Sequence, residues 1–279
     1  MSTTSTKRSR GPLAVGLVVV VIAATVMAFL FTRKSNQLSS SPPSAQLGSP
    51  VPQDVLARVT DIQESVLRKV GVDPALISRP QVIKGGKPLT LNGKPELLYI
   101  GAEFCPFCAA ERWAIVGALS KFGTFKGLEL MESSGTDRYP DTNTFSFVHA
   151  SYSSPYLSVV TREVGTRADT PLQKLTTKEN SLLQTYDVPP YVPPNYNGSI
   201  PFVDFANTFV INGASYSPQV LAGLNWQTIA AALSDPSSLV AKSIGGAVNE
   251  ITATVCVMTH NQPGSACKTP LIQNLERKL

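Results

Sequence analysis

The chain has 279 residues, is 43% hydrophobic and 15% charged, and carries a net charge of +5. Residues 1–34 hold five of its 24 Lys and Arg side chains and no acid, so the other 19 balance 19 acids. The basicity belongs to the N-terminus, and a polyanion-binding face on the body is excluded; nucleic acid is not an expected partner.

The run from Pro12 to Phe31 contains no charged residue and is dominated by Val, Ala, Leu, Ile and Phe. Twenty such residues are long enough to cross a bilayer as a helix. Lys7, Arg8 and Arg10 precede the run and Arg33 and Lys34 follow it, which favours residues 1–11 on the cytoplasmic side. We expect an uncleaved signal anchor over 12–31, a single-pass protein of the cell membrane, and an extracytoplasmic body. A cleaved signal peptide is the alternative. Residues 32–53 are rich in Ser and Pro and read as an extended tether.

The folded unit is expected over 54–279, long enough for one well-packed domain. Val55, Leu56, Val59, Ile62, Val66, Leu67 and Val70 recur at helical spacing, and Gly71 closes the run. Pro88 to Leu91, a turn at Asn92-Gly93, and Leu97 to Ile100 predict a hairpin leading into a central strand. After Gly101-Ala102-Glu103-Phe104 comes Cys105-Pro106-Phe107-Cys108, and a helical pattern begins at Ala109 and ends at Gly123. Strand, turn, Cys-x-x-Cys and helix place the first cysteine at a helix N-terminus. Unpaired N–H groups and the macrodipole stabilise a thiolate there.

Strands are expected at Leu128–Met131 and Phe145–Ala150. Residues 151–199 read as an insertion shaping a substrate surface, with a helix at Thr177–Tyr186 and a Pro-dense run from Val188 to Pro194. Two strands, Ile200–Phe205 and Thr208–Gly213, follow with a short Ala206-Asn207 turn. Helical segments are expected at Trp226–Leu233 and Leu239–Met258, within a C-terminal helical extension over 236–279. This order indicates an α/β domain.

The residues Phe104 to Cys108 after a strand, with Ile200-Pro201 opening a later hairpin, resemble the thioredoxin fold. The resemblance runs from Leu97 to Leu233 and implies a central mixed sheet flanked by helices, interrupted by the insertion. It implies a cis Pro201 facing the cysteines, with the Ile200 backbone docking extended substrates. The wider chain is similar to a prokaryotic family of membrane-anchored thioredoxin-like proteins of unknown function. The segments that carry this are Cys105 to Trp113, Gly198 to Asn207 and the terminal cysteine pair. Two departures stand out. Tyr99 occupies the place of a buried acid common in thioredoxins, six residues before the first cysteine. Phe107 stands where strong oxidants often have histidine, so a less oxidising couple is expected.

The resemblance implies a thiol–disulfide oxidoreductase acting on protein thiols and disulfides, with Cys105 attacking and Cys108 resolving. It needs no organic cofactor and no metal. A reductase fed by an integral-membrane redox partner reverses the direction of the same chemistry. The rival reading is a redox-inert binding or assembly module. Cys105 and Cys108 also admit a static disulfide, or a zinc site shared with Cys256 and Cys267, whose ten intervening residues are a poor fit for zinc. Cys256 and Cys267 themselves read as a structural disulfide, or else as a second redox pair. His149 and His260, the only histidines, belong to no nucleophile–base set; His149 is expected on a strand. Asp204 reads either as a displaced functional acid or as a hydrogen-bonded edge residue. Asn197-Gly198-Ser199 matches a glycosylation acceptor.

Overall fold

The computed structural model describes residues 46–279. The expected 12–31 membrane span lies outside them. Among the described residues no helix is long and apolar enough to cross a membrane.

The domain is a mixed α/β structure with a central mixed sheet flanked by helices. The sheet begins with β1 (Gln81–Val82), β2 (Thr90–Leu91) and β3 (Lys94–Gly101). β2 and β3 form the expected hairpin, with Asn92 and Gly93 both at positive φ in the turn. β3 is buried from Glu96 onward, so its apolar run is continuous rather than alternating, as a strand covered on both faces requires. It pairs antiparallel with β9 (Phe202–Phe205) and parallel with β8 (Ser158–Glu163). β9 is joined to β10 (Phe209–Asn212) through Ala206 and Asn207, both at positive φ. β10 carries β1 at the sheet edge.

Two small sheets pack beside this one. β4 (Thr124–Lys126) pairs with β7 (Ser151–Ser153), and β5 (Glu129–Glu132) with β6 (Asn143–Ser146). The reading of 151–199 as an insertion therefore needs correction at its start. Residues 151–153 hold β4, and 158–163 form a strand of the central sheet. Val159, Val160 and Thr161 are β-branched, but they are only half-buried, which gives a weak alternation pattern. The excursion begins after β8.

The expected N-terminal helix is two, α1 (Gln53–Thr60) and α2 (Glu64–Val70), because the chain leaves helical geometry at Asp61. Ile62 stays buried in the break, so the apolar spacing carries through an irregular corner. The tether also ends earlier than expected. The Gly48 N–H donates to the Leu130 carbonyl at 2.8 Å and the Leu130 N–H to the Ser49 carbonyl at 2.8 Å. Residues 46–51 thus line β5.

α3 (Pro106–Leu119) has Pro106 at its first position, where the missing N–H costs nothing. Every residue from Cys108 to Leu119 is buried, so the helix lies inside the domain. Gly117 permits this. A Cβ there would meet Val248 Cγ2 at 2.9 Å and the Val59 carbonyl at 3.3 Å. α4 (Thr177–Tyr186) and α6 (Leu239–Met258) end where their pattern predicts, and α5 (Trp226–Ala232) ends one residue before the expected Leu233, which is its C-cap. α6 is buried over most of its length and packs on α3 and α2. α7 (Gly264–Cys267) and α8 (Pro270–Glu276) close the chain.

The two faces of β3 have different neighbours. Leu98 and Ile100 join Ile83, Phe202 and Val210 beneath Leu182, Leu183 and Tyr186 of α4. Tyr99 faces the other way, toward Phe147 and Arg112. α4 is set by a capping box between Thr176 and Glu179 and is tied to the sheet by the Arg162–Glu179 and Lys178–Glu96 ion pairs.

Candidate functional site

Cys105 is the N-cap of α3, and its sulfur accepts from the Cys108 N–H at 3.3 Å. Sulfur in this place does the work of a Ser or Asp cap while remaining a nucleophile. On its other side the Cys105 thiol donates to the Ile200 carbonyl at 3.6 Å. The Ile200–Pro201 peptide is cis. The structure thus brings the pair Cys105 and Cys108 to the pair Ile200 and Pro201, 92 positions away in the chain (108 to 200). Both thiols are free. Cys105 is 6% exposed, whereas Cys108 has no exposed surface.

The two sulfurs have opposite acidities. Hydrogen bonding from the Cys108 thiol lowers the Cys105 value, and the Cys108 N–H, the Arg112 charge and the Phe107 N–H add to this against burial. Burial pushes the Cys108 thiol well up, and a neighbouring Cys105 thiolate pushes it further. Cys105 is therefore the more acidic of the two thiols.

Behind the cysteines lies a buried polar group. Arg112 donates through Nε to Glu163 Oε1 at 2.9 Å and through Nη2 to Glu163 Oε2 at 2.6 Å. Nη2 also donates to the Ala102 carbonyl at 2.8 Å, and Ala102 packs against Cys105 and Cys108. Both side chains are wholly buried. Burial opposes the Arg112 charge, but Glu163 beside it outweighs that cost and holds the guanidinium protonated. Tyr99, six residues before Cys105, is fully buried; burial pushes its phenol well above the usual range. Its ring lies 5.9 Å from the guanidinium carbon. Its hydroxyl occupies the space over Gly101, where a Cβ would meet it at 2.1 Å.

Glu103 turns inward, and its Oε1 accepts from the Ser146 hydroxyl at 2.7 Å. Glu111 is buried and accepts from the Ser215 N–H at 2.7 Å and hydroxyl at 2.9 Å. This latches the loop after β10 to α3, and burial raises the carboxyl to about 7. Asp204 is not on an edge: β9 is paired on both sides, and Asp204 Oδ1 accepts from the Asn207 N–H at the turn. Burial raises it to about 7 as well, but it pairs across from Leu98 and stands apart from the cysteines. His149 is not on a strand; it lies in an exposed turn beside Glu129. His260 is exposed at positive φ. Asn197 is exposed in the loop leading to Ile200.

Cys256 and Cys267 are bonded to each other, joining the last turn of α6 to α7, and both are wholly buried. With this pair bonded, the four cysteines do not form one cluster. Two hollows flank Ile200. One, about 710 Å³, runs between Phe104, Val164 and α4. The other, about 410 Å³, lies between Phe107, Tyr196 and Tyr216. Phe107 is 36% exposed and meets Tyr139 edge-on at 5.9 Å, forming a lip beside Cys105.

The family model described as domain of unknown function DUF929 matches residues 82–257. The chain belongs to the DUF929 family. The matched region of DUF929 covers more than half of the chain, from β1 to the end of α6. It includes both thiols, Ile200 and Pro201, and stops short of Cys267. No curated protein and no solved structure matches the chain.

Sequence reasoning missed Arg112, Glu163 and Glu111. A signal for two of them was available. Glu111 and Arg112 are the only charges in an otherwise apolar helix, and Arg112 follows Cys108 by one turn. Glu163 carried no such signal, because its role depends on β8 lying beside β3.

Proposed function

We propose that this protein has a thioredoxin-like fold and is a thiol–disulfide oxidoreductase, anchored by residues 12–31 with its body outside the cytoplasm. The observation that supports it most is the setting of Cys105. Its sulfur caps a 14-residue helix, is slightly exposed, and touches the Ile200 carbonyl next to Pro201.

The Cys105 thiolate attacks one sulfur of a substrate disulfide and expels the other as a thiolate. A mixed disulfide results. Cys108 loses its proton and attacks Cys105, which breaks the mixed disulfide, releases the second substrate sulfur and closes the Cys105–Cys108 bond. The substrate gains two electrons and the protein loses them; run backward, the same steps oxidise a dithiol. The substrate chain lies along Ile200, with the flanking hollows taking its neighbouring side chains. Protein thiols and disulfides are the substrates, and an integral-membrane redox partner recycles the pair.

The burial of Cys108 favours one competing reading, a redox-inert binding module. A single measurement separates them. The full-length protein is equilibrated in glutathione or dithiothreitol buffers and its thiols counted by mass spectrometry. A reversible couple between about −270 and −180 mV is expected. A pair that never exchanges, or Cys105→Ser and Cys108→Ser variants that exchange as fast as the parent, overturns the enzyme reading.

A further inference from the structure

In the reaction just described the difficult proton is the one on Cys108. The side chain has no exposed surface, and burial disfavours its thiolate. The residue that would carry the acid in thioredoxins is Tyr99, whose hydroxyl is buried without a hydrogen-bond partner among the described residues. Something else must stabilise negative charge on Cys108.

Arg112 is placed to do so. It follows Cys108 by four residues on α3, and a helical side chain covers the turn N-terminal to its own Cα. The guanidinium is fixed at its far end by the Ala102 carbonyl at 2.8 Å, and Ala102 packs on both cysteines. Three contact points (α3, Glu163 of β8 and the Ala102 carbonyl) hold the cation still. Its Nη1 group is buried and has no hydrogen-bond partner among the described residues. A buried donor that Glu163 leaves unused keeps part of the guanidinium's positive field free for another anion.

We propose that Arg112 is a positioning residue for the resolving step: its buried guanidinium, one turn behind Cys108, supplies the charge against which the Cys108 thiolate forms. This rests on the redox reading above. When Cys108 loses its proton and attacks the mixed disulfide, the proton passes to the departing substrate sulfur, and Arg112 keeps its own throughout. Glu163 works in the opposite direction. It fixes Arg112 and also opposes a thiolate by its negative charge, so the pair sets Cys108 between two fields. The other titratable groups facing this space are Tyr99 from β3, neutral through burial, Glu103 from the turn before α3, and Cys105 itself.

The test uses the full-length protein with Cys105→Ser, which leaves Cys108 as the single free thiol while Cys256 and Cys267 stay bonded. Thiolate absorbance in the ultraviolet is followed against pH, and no substrate is needed. Glu163→Gln keeps an acceptor for Arg112 and removes the opposing charge, so the Cys108 titration moves to lower pH. Arg112→Met alone would strand a buried carboxylate. The informative variant is therefore Arg112→Met with Glu163→Gln, in which the titration moves up relative to Glu163→Gln. A shift of one unit means an about tenfold smaller thiolate fraction at neutral pH. Arg112→Lys with Glu163→Gln restores most of that loss.

A role confined to holding β8 against α3 moves the unfolding midpoint of these variants but leaves the titration in place, and that result overturns the inference. A Glu163→Gln titration that stays put or rises overturns it too, even where the double variant does not fold. Failure of the redox reading is seen elsewhere, as a parent protein that exchanges no disulfides. In that case Cys108 still titrates as described, but no resolving step remains for Arg112 to serve.

Discussion

The two cysteine pairs in this domain are made of the same atoms and placed for different ends. Cys105 and Cys108 sit at the start of a helix, free, with one sulfur touching backbone donors and acceptors and a buried cation behind them. Cys256 and Cys267 sit at the end of a helix, already bonded, with neither sulfur exposed. A helix N-terminus stabilises a thiolate, whereas a C-terminus presents carbonyl oxygens and disfavours one. In each helix the dipole runs along the axis, and the two pairs stand at opposite ends: Cys105 caps the start of α3, and Cys256 lies in the last turn of α6.

The strongest way to break this comparison is to remove the first pair. Cys105→Ser or Cys108→Ser should reduce disulfide exchange to the uncatalysed background, read as turnover of a dithiol substrate. Cys105→Ser should also prevent the mixed disulfide from forming, whereas Cys108→Ser should trap it. Removal of the second pair should do the reverse. Cys256→Ala with Cys267→Ala should cost about 3 kcal/mol in urea unfolding, given the short loop closed by a separation of 11 residues, and leave exchange intact. Loss of exchange in a folded double variant would show that the second pair relays electrons.

A smaller effect concerns pH. In the reduced parent one thiol should alkylate with an inflection below 9 and the other above it, since Cys105 is lowered and Cys108 raised from that value. The signs for stability follow. The Cys105 contribution to the reduced fold is present above its unfolded value and lost as pH falls through the folded one. The Cys108 contribution is present below its unfolded value and lost as pH rises through the folded one. Two identical inflections, measured by mass spectrometry of each peptide, would remove the distinction between attacking and resolving sulfur. The smallest expected change is at the exposed lip. Phe107→His places a second donor and a partial positive charge beside Cys105 and should raise the reduction potential by about 30 mV, equivalent to ~1.4 kcal/mol.

Much of this was legible in one dimension. The turn at Asn92-Gly93, the helix from Thr177 to Tyr186 behind its capping box, and the helix from Leu239 to Met258 follow from local chemistry. So does the placement of Cys105 at a helix start, since a strand, a short turn and Pro at the first helical position lead into it. Other features needed the third dimension. β8 was absorbed into a supposed insertion because its β-branched residues are only half-buried, and only its parallel pairing with β3 identifies it. The corner at Asp61 was hidden by an apolar spacing that runs through it. Of the two readings of Asp204, a displaced acid or an edge residue, the edge placement fails because its strand has neighbours on both sides, which nothing local shows.

By itself, the sequence determined the kinds of element, their order and which sulfur heads a helix, because these depend on residues within a turn or two of one another. Tertiary structure alone decided that the Ile200 carbonyl meets Cys105, that Glu163 reaches Arg112, and that the Tyr99 hydroxyl is buried over Gly101. Those contacts join residues separated by 95 and 51 positions. The chain can make them only by burying apolar surface on both faces of β3, and it is that burial which lowers the local dielectric and makes each charge near Cys108 matter.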